Sequence, residues 1–296
     1  MLLTGSGERK FCAGADVKAT VQAVVENRKS DAMQFFTEEY ALDLCIHQFP
    51  KPVVAIAHGI NMGGGLGLTA GADLVMATET TRMAMPKIRI GFFPDVWATG
   101  WLFAKCPSGY PEFLGLTGHE LVGPETVRLG LSDVCVSNKD MDNIIESLKD
   151  LSAALDEHKD TALGQIKAGL GTYHPESSPK INTDFDQWVA ATFAGKAAIT
   201  DIISALSRNS ENSRCETVLE QLAERSPTAT VLTLTLLRQN QGKPLADVFA
   251  SETKACDFII SHPDYREGVR ARLVDKDNAP KGQPDTFEEV ALDVDI

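Results

Sequence analysis

The chain has 296 residues, with 28 Lys and Arg against 41 Asp and Glu, a net charge of −13. Hydrophobic residues make up 43% and charged residues 23%, a globular balance that allows one large domain or a domain with an appended subdomain. The acidity, with no local basic stripe, argues against a nucleic-acid binder, and no apolar run reaches the roughly 20 residues of a membrane helix.

Met1-Leu-Leu-Thr-Gly-Ser-Gly7 reads as the end of a strand entering a turn, without a signal peptide or an Arg-rich transit pattern. So abrupt an opening is expected of a truncated product or a misassigned start. From Met1 to about Val136, short apolar runs alternate with helical stretches, the pattern of repeated βα units. Phe11-Cys-Ala-Gly-Ala-Asp-Val17 is a glycine-containing turn after the opening strand. Residues 31 to 45 carry apolar positions at helical spacing, including Met33, Phe36, Tyr40 and Leu44. Val53-Val-Ala-Ile-Ala57 is a buried strand bounded by Lys51-Pro52 and His58-Gly59. A second glycine turn, Asn61-Met-Gly-Gly-Gly-Leu-Gly-Leu68, opens a helix, and Leu74-Val-Met-Ala77 is another strand.

Beyond Ser137 the pattern changes. Met141 to Leu155 predicts an amphipathic helix, and His174-Pro-Glu-Ser-Ser-Pro-Lys180 a polar linker. From Asp184 onward the periodicity is almost wholly helical, and Ser226 before Pro227 suits a helix start. The six cysteines (Cys12, Cys45, Cys106, Cys135, Cys215 and Cys256) are scattered, with no C-x-x-C pair and no zinc-ligand spacing. They read as single thiols in a reducing compartment.

The two glycine turns are the first candidates for chemistry. Consecutive glycines let a backbone approach a ligand closely, and a helix N-terminus presents free N–H groups with a favourable dipole. Two such groups aimed at one carbonyl oxygen make an oxyanion hole. Tight packing explains either turn taken alone. No Gly-Lys-Ser/Thr follows and no dinucleotide fingerprint is present.

Phe11-Cys-Ala-Gly-Ala-Asp16 and Met62-Gly-Gly-Gly-Leu-Gly-Leu68 together resemble the oxyanion segments of the crotonase (enoyl-CoA hydratase/isomerase) superfamily. Three further segments resemble its 3-hydroxyisobutyryl-CoA hydrolase branch. They are Phe35-Phe-Thr-Glu-Glu-Tyr40, Met85-Pro-Lys-Ile-Arg-Ile-Gly-Phe-Phe-Pro-Asp-Val96, and Asp264 to Asp277 with Ser226-Pro-Thr228 ahead of it. The likeness runs in order over nearly the whole chain. It implies an α/β fold with a ββα spiral core over residues 1–200 and a helical C-terminal region over 201–296. It implies that the N–H groups of Ala15 and Gly64 polarise a thioester carbonyl. Ala13, Asp16, Val17 and Lys18 would lie near coenzyme A, Lys18 being equally readable as a solvated lysine. Asp95 would be base or nucleophile, and Glu39 either a substrate-hydroxyl contact or a helix-surface charge. His58 reads as structural.

Two departures bear on activity. The family places a strand–strand–helix element before the first turn, and this sequence lacks it. Lys87 stands where the hydrolases and most hydratases carry the Glu of Met-Pro-Glu, and Trp97 replaces the glycine usual after Phe-Pro-Asp-Val. A lysine, with a reference pKa of about 10.4, arrives as a cation and is no base. Lys87 therefore reads as a salt-bridge partner of Asp95 or Glu39, or as a group that donates a proton or holds an anionic part of the substrate. The resemblance implies hydrolysis of a short 3-hydroxyacyl-CoA. The alternatives are enoyl-CoA hydration or isomerisation, weakened by Gly67 and Lys87 in place of both hydratase glutamates, and a catalytically impaired CoA-binding or assembly protein. It implies no metal or redox cofactor, a possible homo-oligomer, and a cytoplasmic site, or the mitochondrial matrix in a eukaryote.

Overall fold

The computed structural model describes residues 1–152, 158–169 and 179–294. The chain advances through β1 (Leu2–Thr4), β2 (Lys10–Cys12), α1 (Val17–Val25) and α2 (Lys29–His47), then β3 (Val54–Ala57), β4 (Ile60–Met62) and α3 (Gly64–Ala70). β5 (Leu74–Thr78) and β6 (Arg82–Ala84) lead through a 3-10 turn, Pro86–Ile90, to α4 (Ala98–Lys105) and α5 (Tyr110–Thr117). β7 (Leu121–Val122), α6 (Pro124–Arg128) and β8 (Val134–Val136) complete the strands. The later helices are α7 (Met141–Ser152), α8 (Lys159–Gly169), α9 (Thr183–Phe193), α10 (Ile199–Ser207) and α11 (Ser213–Ala223). They continue with α12 (Pro227–Asn240), α13 (Leu245–Ser261), α14 (Pro263–Val269) and a π-helical turn at Arg270–Val274.

The first three strand pairs each send their first member to a sheet ordered β1-β3-β5-β8. Their second member goes to a sheet ordered β2-β4-β6-β7. This is a mixed α/β fold with the ββα repeat that the resemblance implies. The simpler βα alternation read from periodicity misses β2, β4 and β6, because three-residue strands are too short to show a period of two. The amphipathic helix begins at Met141 as expected and is seen to Ser152, and residues 153–155 lie outside the described ones. So do residues 174–178 of the expected linker. The helical stretch expected from Asp184 stops at Val274, and residues 275–294 contain neither helix nor strand.

The chain forms two compact units that interleave along the sequence. The first unit comprises residues 1–14, 41–83 and 120–182 and carries the sheets. All pairings in its β1-β3-β5-β8 sheet are parallel, with Val54 opposite both Leu2 and Leu74, and Met76 opposite Val134. Every residue of β3 and β5 is buried, so both read as continuous apolar runs, as parallel strands covered on both faces do. Val54, Ile56, Leu74 and Met76 pack with Ile144 and Leu148 of α7 and Ile166 of α8. Each such side chain contributes roughly 1.5–3 kcal/mol when fully buried. Aspartates satisfy the backbone at the strand entries: Asp73 accepts from the Val53 N–H at 2.8 Å and Asp133 from the Val75 N–H at 2.7 Å.

The second unit comprises residues 15–40, 84–119 and 183–296. Its centre is α12, which packs against α4, α5, α10 and α13. Ser226 caps α12 by accepting from the Ala229 N–H at 3.0 Å, and Pro227 follows at the first helical position. Phe36, Phe92, Phe93 and Tyr265 are almost completely buried in this unit.

Candidate active site

In the second unit the sequence places Phe36 and Tyr40 one turn apart on α2, so both face the same side. Phe36 stacks on Phe92 with centroids 5.4 Å apart. Tyr40 donates its hydroxyl proton to Asp95 Oδ2 at 3.1 Å. Asp95 is fully buried, and its other oxygen forms an ion pair with Lys87 Nζ. Of the two partners open to Lys87 on sequence grounds, the structure selects Asp95. Lys87 is 5% exposed, and its ammonium lies 5.9 and 5.6 Å from the ring centroids of Phe36 and Phe92. Burial opposes the charge on Lys87, but attraction to Asp95 and then Glu39 outweighs it and holds the ammonium above the usual lysine range.

Glu39 is half-buried beside this pair, and its Oε2 is buried without a hydrogen-bond partner among the described residues. Burial pushes its carboxyl up, Lys87 pulls it back, and Asp95 adds to the rise. Asp95 and Glu39 are thus two neighbouring carboxyl groups in unlike settings, one ion-paired and one desolvated. Such a contrast separates a base from an acid.

The turn holding Asp95 is strained. Val96 and Trp97 have φ of 53° and 55°, the left-handed region where a β-branched or bulky residue costs about 1–3 kcal/mol. Glu252 of α13 offsets that cost. Its carboxylate accepts from the Trp97 N–H at 2.6 Å, the Thr99 N–H at 3.2 Å and the Thr99 hydroxyl at 2.6 Å, closing the N-terminus of α4. Asn240 Nδ2 donates to Thr99 Oγ1 at 2.9 Å, and the Ser251 hydroxyl donates to Asn240 Oδ1 at 2.9 Å. Burial drives Glu252 up to about 8 against the pull of its hydrogen bonds, with Asp95 adding to the rise. The Trp97 ring is buried and stacks on Phe249 at 5.5 Å.

Sequence reasoning missed two of these groups. The Tyr40 hydroxyl was legible only as part of an apolar helix face. Glu252 left a clearer signal, a carboxylate inside the stripe Val248, Ala255, Cys256 and Ile259 of α13, where a charge needs partners.

In the first unit the candidate groups belong to the backbone. Gly63 takes φ 56° and ψ −121°, which only glycine adopts readily, and Gly64 is the buried first residue of α3. A Cβ on Gly65 would stand 2.6 Å from the Cys12 carbonyl oxygen and from Asn61 Oδ1. The two glycine turns therefore meet backbone to backbone. The Gly64 N–H, at the start of a helix, has no acceptor within it.

The remaining predicted residues lie at the start of α1. Ala13, Asp16 and Lys18 are exposed, and Ala15 and Val17 are half-buried. Asp16 caps α1, accepting from the Ala19 N–H at 3.2 Å. His58 is buried, with Nε2 2.8 Å from the Gly7 carbonyl oxygen, a structural tie within the first unit. Among the described residues no group of three or more His, Cys, Asp or Glu side chains is placed to hold a metal ion. No described helix is long and apolar enough to cross a membrane.

Comparison with known proteins gives the family. The profile of the enoyl-CoA hydratase/isomerase family matches residues 1–294. The mitochondrial 3-hydroxyisobutyryl-CoA hydrolase of Danio rerio is 31% identical over 296 residues, covering 98% of this chain and 75% of that protein. Its Homo sapiens counterpart is 32% identical over 293 residues, covering 98% and 74%. Among solved structures, a carnitinyl-CoA dehydratase from Mycobacterium thermoresistibile superposes with a TM-score of 0.85 at 31% identity, covering 98% of this chain and 80% of its own. An enoyl-CoA hydratase from Rhodobacter sphaeroides gives 0.84 at 26% identity, with the same coverage. The chain belongs to the enoyl-CoA hydratase/isomerase family, the crotonase superfamily.

Proposed function

We propose that this protein is an acyl-CoA thioester hydrolase acting on a short 3-hydroxyacyl-CoA such as 3-hydroxyisobutyryl-CoA. The observation that carries the reading is the presence of an ion-paired Asp95 and a desolvated Glu39 in one cluster. Asp95 takes a proton from water, and the hydroxide oxygen bonds to the thioester carbon. The carbonyl oxygen gathers negative charge, and stabilising it is the role that the resemblance gives the N–H groups of Gly64 and Ala15. The carbon–sulfur bond then breaks, and the leaving thiolate takes the proton of Glu39. The products are the free 3-hydroxy acid and coenzyme A thiol.

The hydrolase names of the relatives at 31% and 32% identity support the substrate. The hydratase reading is the weaker one, since Lys87 is tied to Asp95 and no carboxylate stands at Gly67. The ion pair supports a second reading, a CoA-binding protein with little turnover, because it engages the base before substrate arrives. We assign Ala13, Asp16, Val17 and Lys18 to the coenzyme A moiety as part of the same proposal. The mitochondrial relatives and the unpaired cysteines favour the matrix in a eukaryotic source and the cytoplasm otherwise. Thiol release from 3-hydroxyisobutyryl-CoA, read beside water addition to a short enoyl-CoA, tests the assignment. Thiol release that Asp95→Asn abolishes is the expected result. Hydration without thiol release would overturn it.

A further inference from the structure

The second unit also holds a cavity of about 310 Å³ whose lining includes none of Asp95, Lys87 and Glu39. Arg89, Arg225 and Lys281 line it, together with Ser226 and Pro227 at the N-terminus of α12 and part of the segment beyond Val274. Arg225 is 6% exposed, and its Nε and Nη1 are buried without a hydrogen-bond partner among the described residues. Among the described residues its Nη2 donates only to the Thr117 carbonyl oxygen, at 3.4 Å. The nearest carboxylate, Glu224, stands 3.7 Å from Nη1, is largely exposed, and is already bound by Arg272 at 2.6 Å.

A guanidinium so placed is a buried charge without adequate compensation, a costly state for a native protein. Two further arginines sharpen the imbalance. Burial, and then the charges of Arg89 and Arg272, push Arg225 down to about 10. Most of the nearby acids are committed elsewhere. Asp264 accepts from the Ser226 hydroxyl at 2.5 Å and from the Gln283 N–H at 2.8 Å. Glu267 is bound twice by Arg270 at 2.8 Å and by the Lys281 N–H at 3.0 Å. Asp285, the remaining acid on the wall, is exposed.

We propose that this cavity is a binding site for a phosphate-type dianion, held by the unpartnered N–H groups of Arg225 with Arg89 and Lys281 supplying further positive charge. Arginine forms its strongest hydrogen bonds to such oxyanions, and the N-terminus of the 14-residue α12 adds a favourable dipole. The anion is free phosphate or a phosphate carried by a nucleotide, and both share this chemistry.

Thermal unfolding of the full chain, at constant ionic strength, tests the site with inorganic phosphate and with 3′,5′-ADP as separate probes. At about one hundred times the dissociation constant, linkage raises the midpoint by roughly 4–5 °C. A rise with phosphate that Arg225→Gln removes supports the site for the free ion. A rise with 3′,5′-ADP alone, removed by the same change, supports it for a nucleotide-borne phosphate. Should Arg225→Gln fail to fold, Arg89→Ala at an exposed position carries the test, with a reduced rise expected. No rise with either probe overturns the proposal, as does a rise that neither substitution diminishes.

Discussion

The glycine turns of the first unit and the carboxylate–lysine cluster of the second are built differently and respond to change differently. At Gly63 to Gly65 it is the backbone itself that meets the neighbouring turn. The sequence requirement there is an absence of side chains, enforced by the Cys12 carbonyl and Asn61. At Lys87, Asp95 and Glu39 the functional groups are side chains whose state depends on one another. Lys87 forms an ion pair with Asp95, and its charge pulls the raised Glu39 carboxyl back down. The turns are therefore sensitive to added volume, and the cluster to a change of charge.

Removing Asp95 breaks the comparison most severely. Asp95→Asn leaves Lys87 buried and unpaired, and the expected loss is about 3–5 kcal/mol in denaturant unfolding. Adding Lys87→Met removes the orphaned charge and recovers most of that loss. If the single and double variants are equally unstable, the ion pair is not what the cluster depends on.

In the turns the cost is steric. Gly65→Ala forces a Cβ against Cys12 and Asn61, and the expected destabilisation is about 1–3 kcal/mol, with a fall in thiol release from displacement of Gly64. Wild-type stability and rate in this variant would mean that the close approach is not required.

The Glu252 cap gives a smaller effect with a distinctive pH signature. Glu252→Gln costs about 0.5–2 kcal/mol near neutral pH, as other lost caps do. The ordinary value for this carboxyl is 4.5, and burial raises it to about 8 in the folded protein. The folded state therefore holds the proton more tightly than the unfolded one. The stability linked to that proton is full below pH 4.5, is lost as pH rises through 8, and is flat above. Stability curves of the two proteins between pH 5 and 9 check this. Parallel curves would contradict the assignment, and a flatter one for Glu252→Gln would support it.

What the sequence made legible follows from how local each signal is. β3 and β5 are continuous apolar runs bounded by breakers, and Ser226-Pro227 is a helix start whose chemistry lies within four residues. The shared face of Phe36 and Tyr40 followed from helical spacing. β2, β4 and β6 were not legible, since three residues show no period. The choice of Asp95 over Glu39 as the partner of Lys87 was also hidden, because both were in reach of a long side chain. Glu252 meets Trp97 across 155 positions, and Arg225 owes its isolation to carboxylates already taken by Arg270, Arg272 and Ser226. Long-range satisfaction of charge is a property of the folded chain, and no window of sequence contains it.

The central claim is that Asp95 drives thioester hydrolysis and that Lys87 restrains it. The most direct test is free-thiol release from 3-hydroxyisobutyryl-CoA by the unmodified chain and by Lys87→Glu under identical conditions. The Lys87→Glu enzyme is expected to be faster by about 10²- to 10⁴-fold, the contribution of one acid–base group. Equal rates in the two proteins would contradict it.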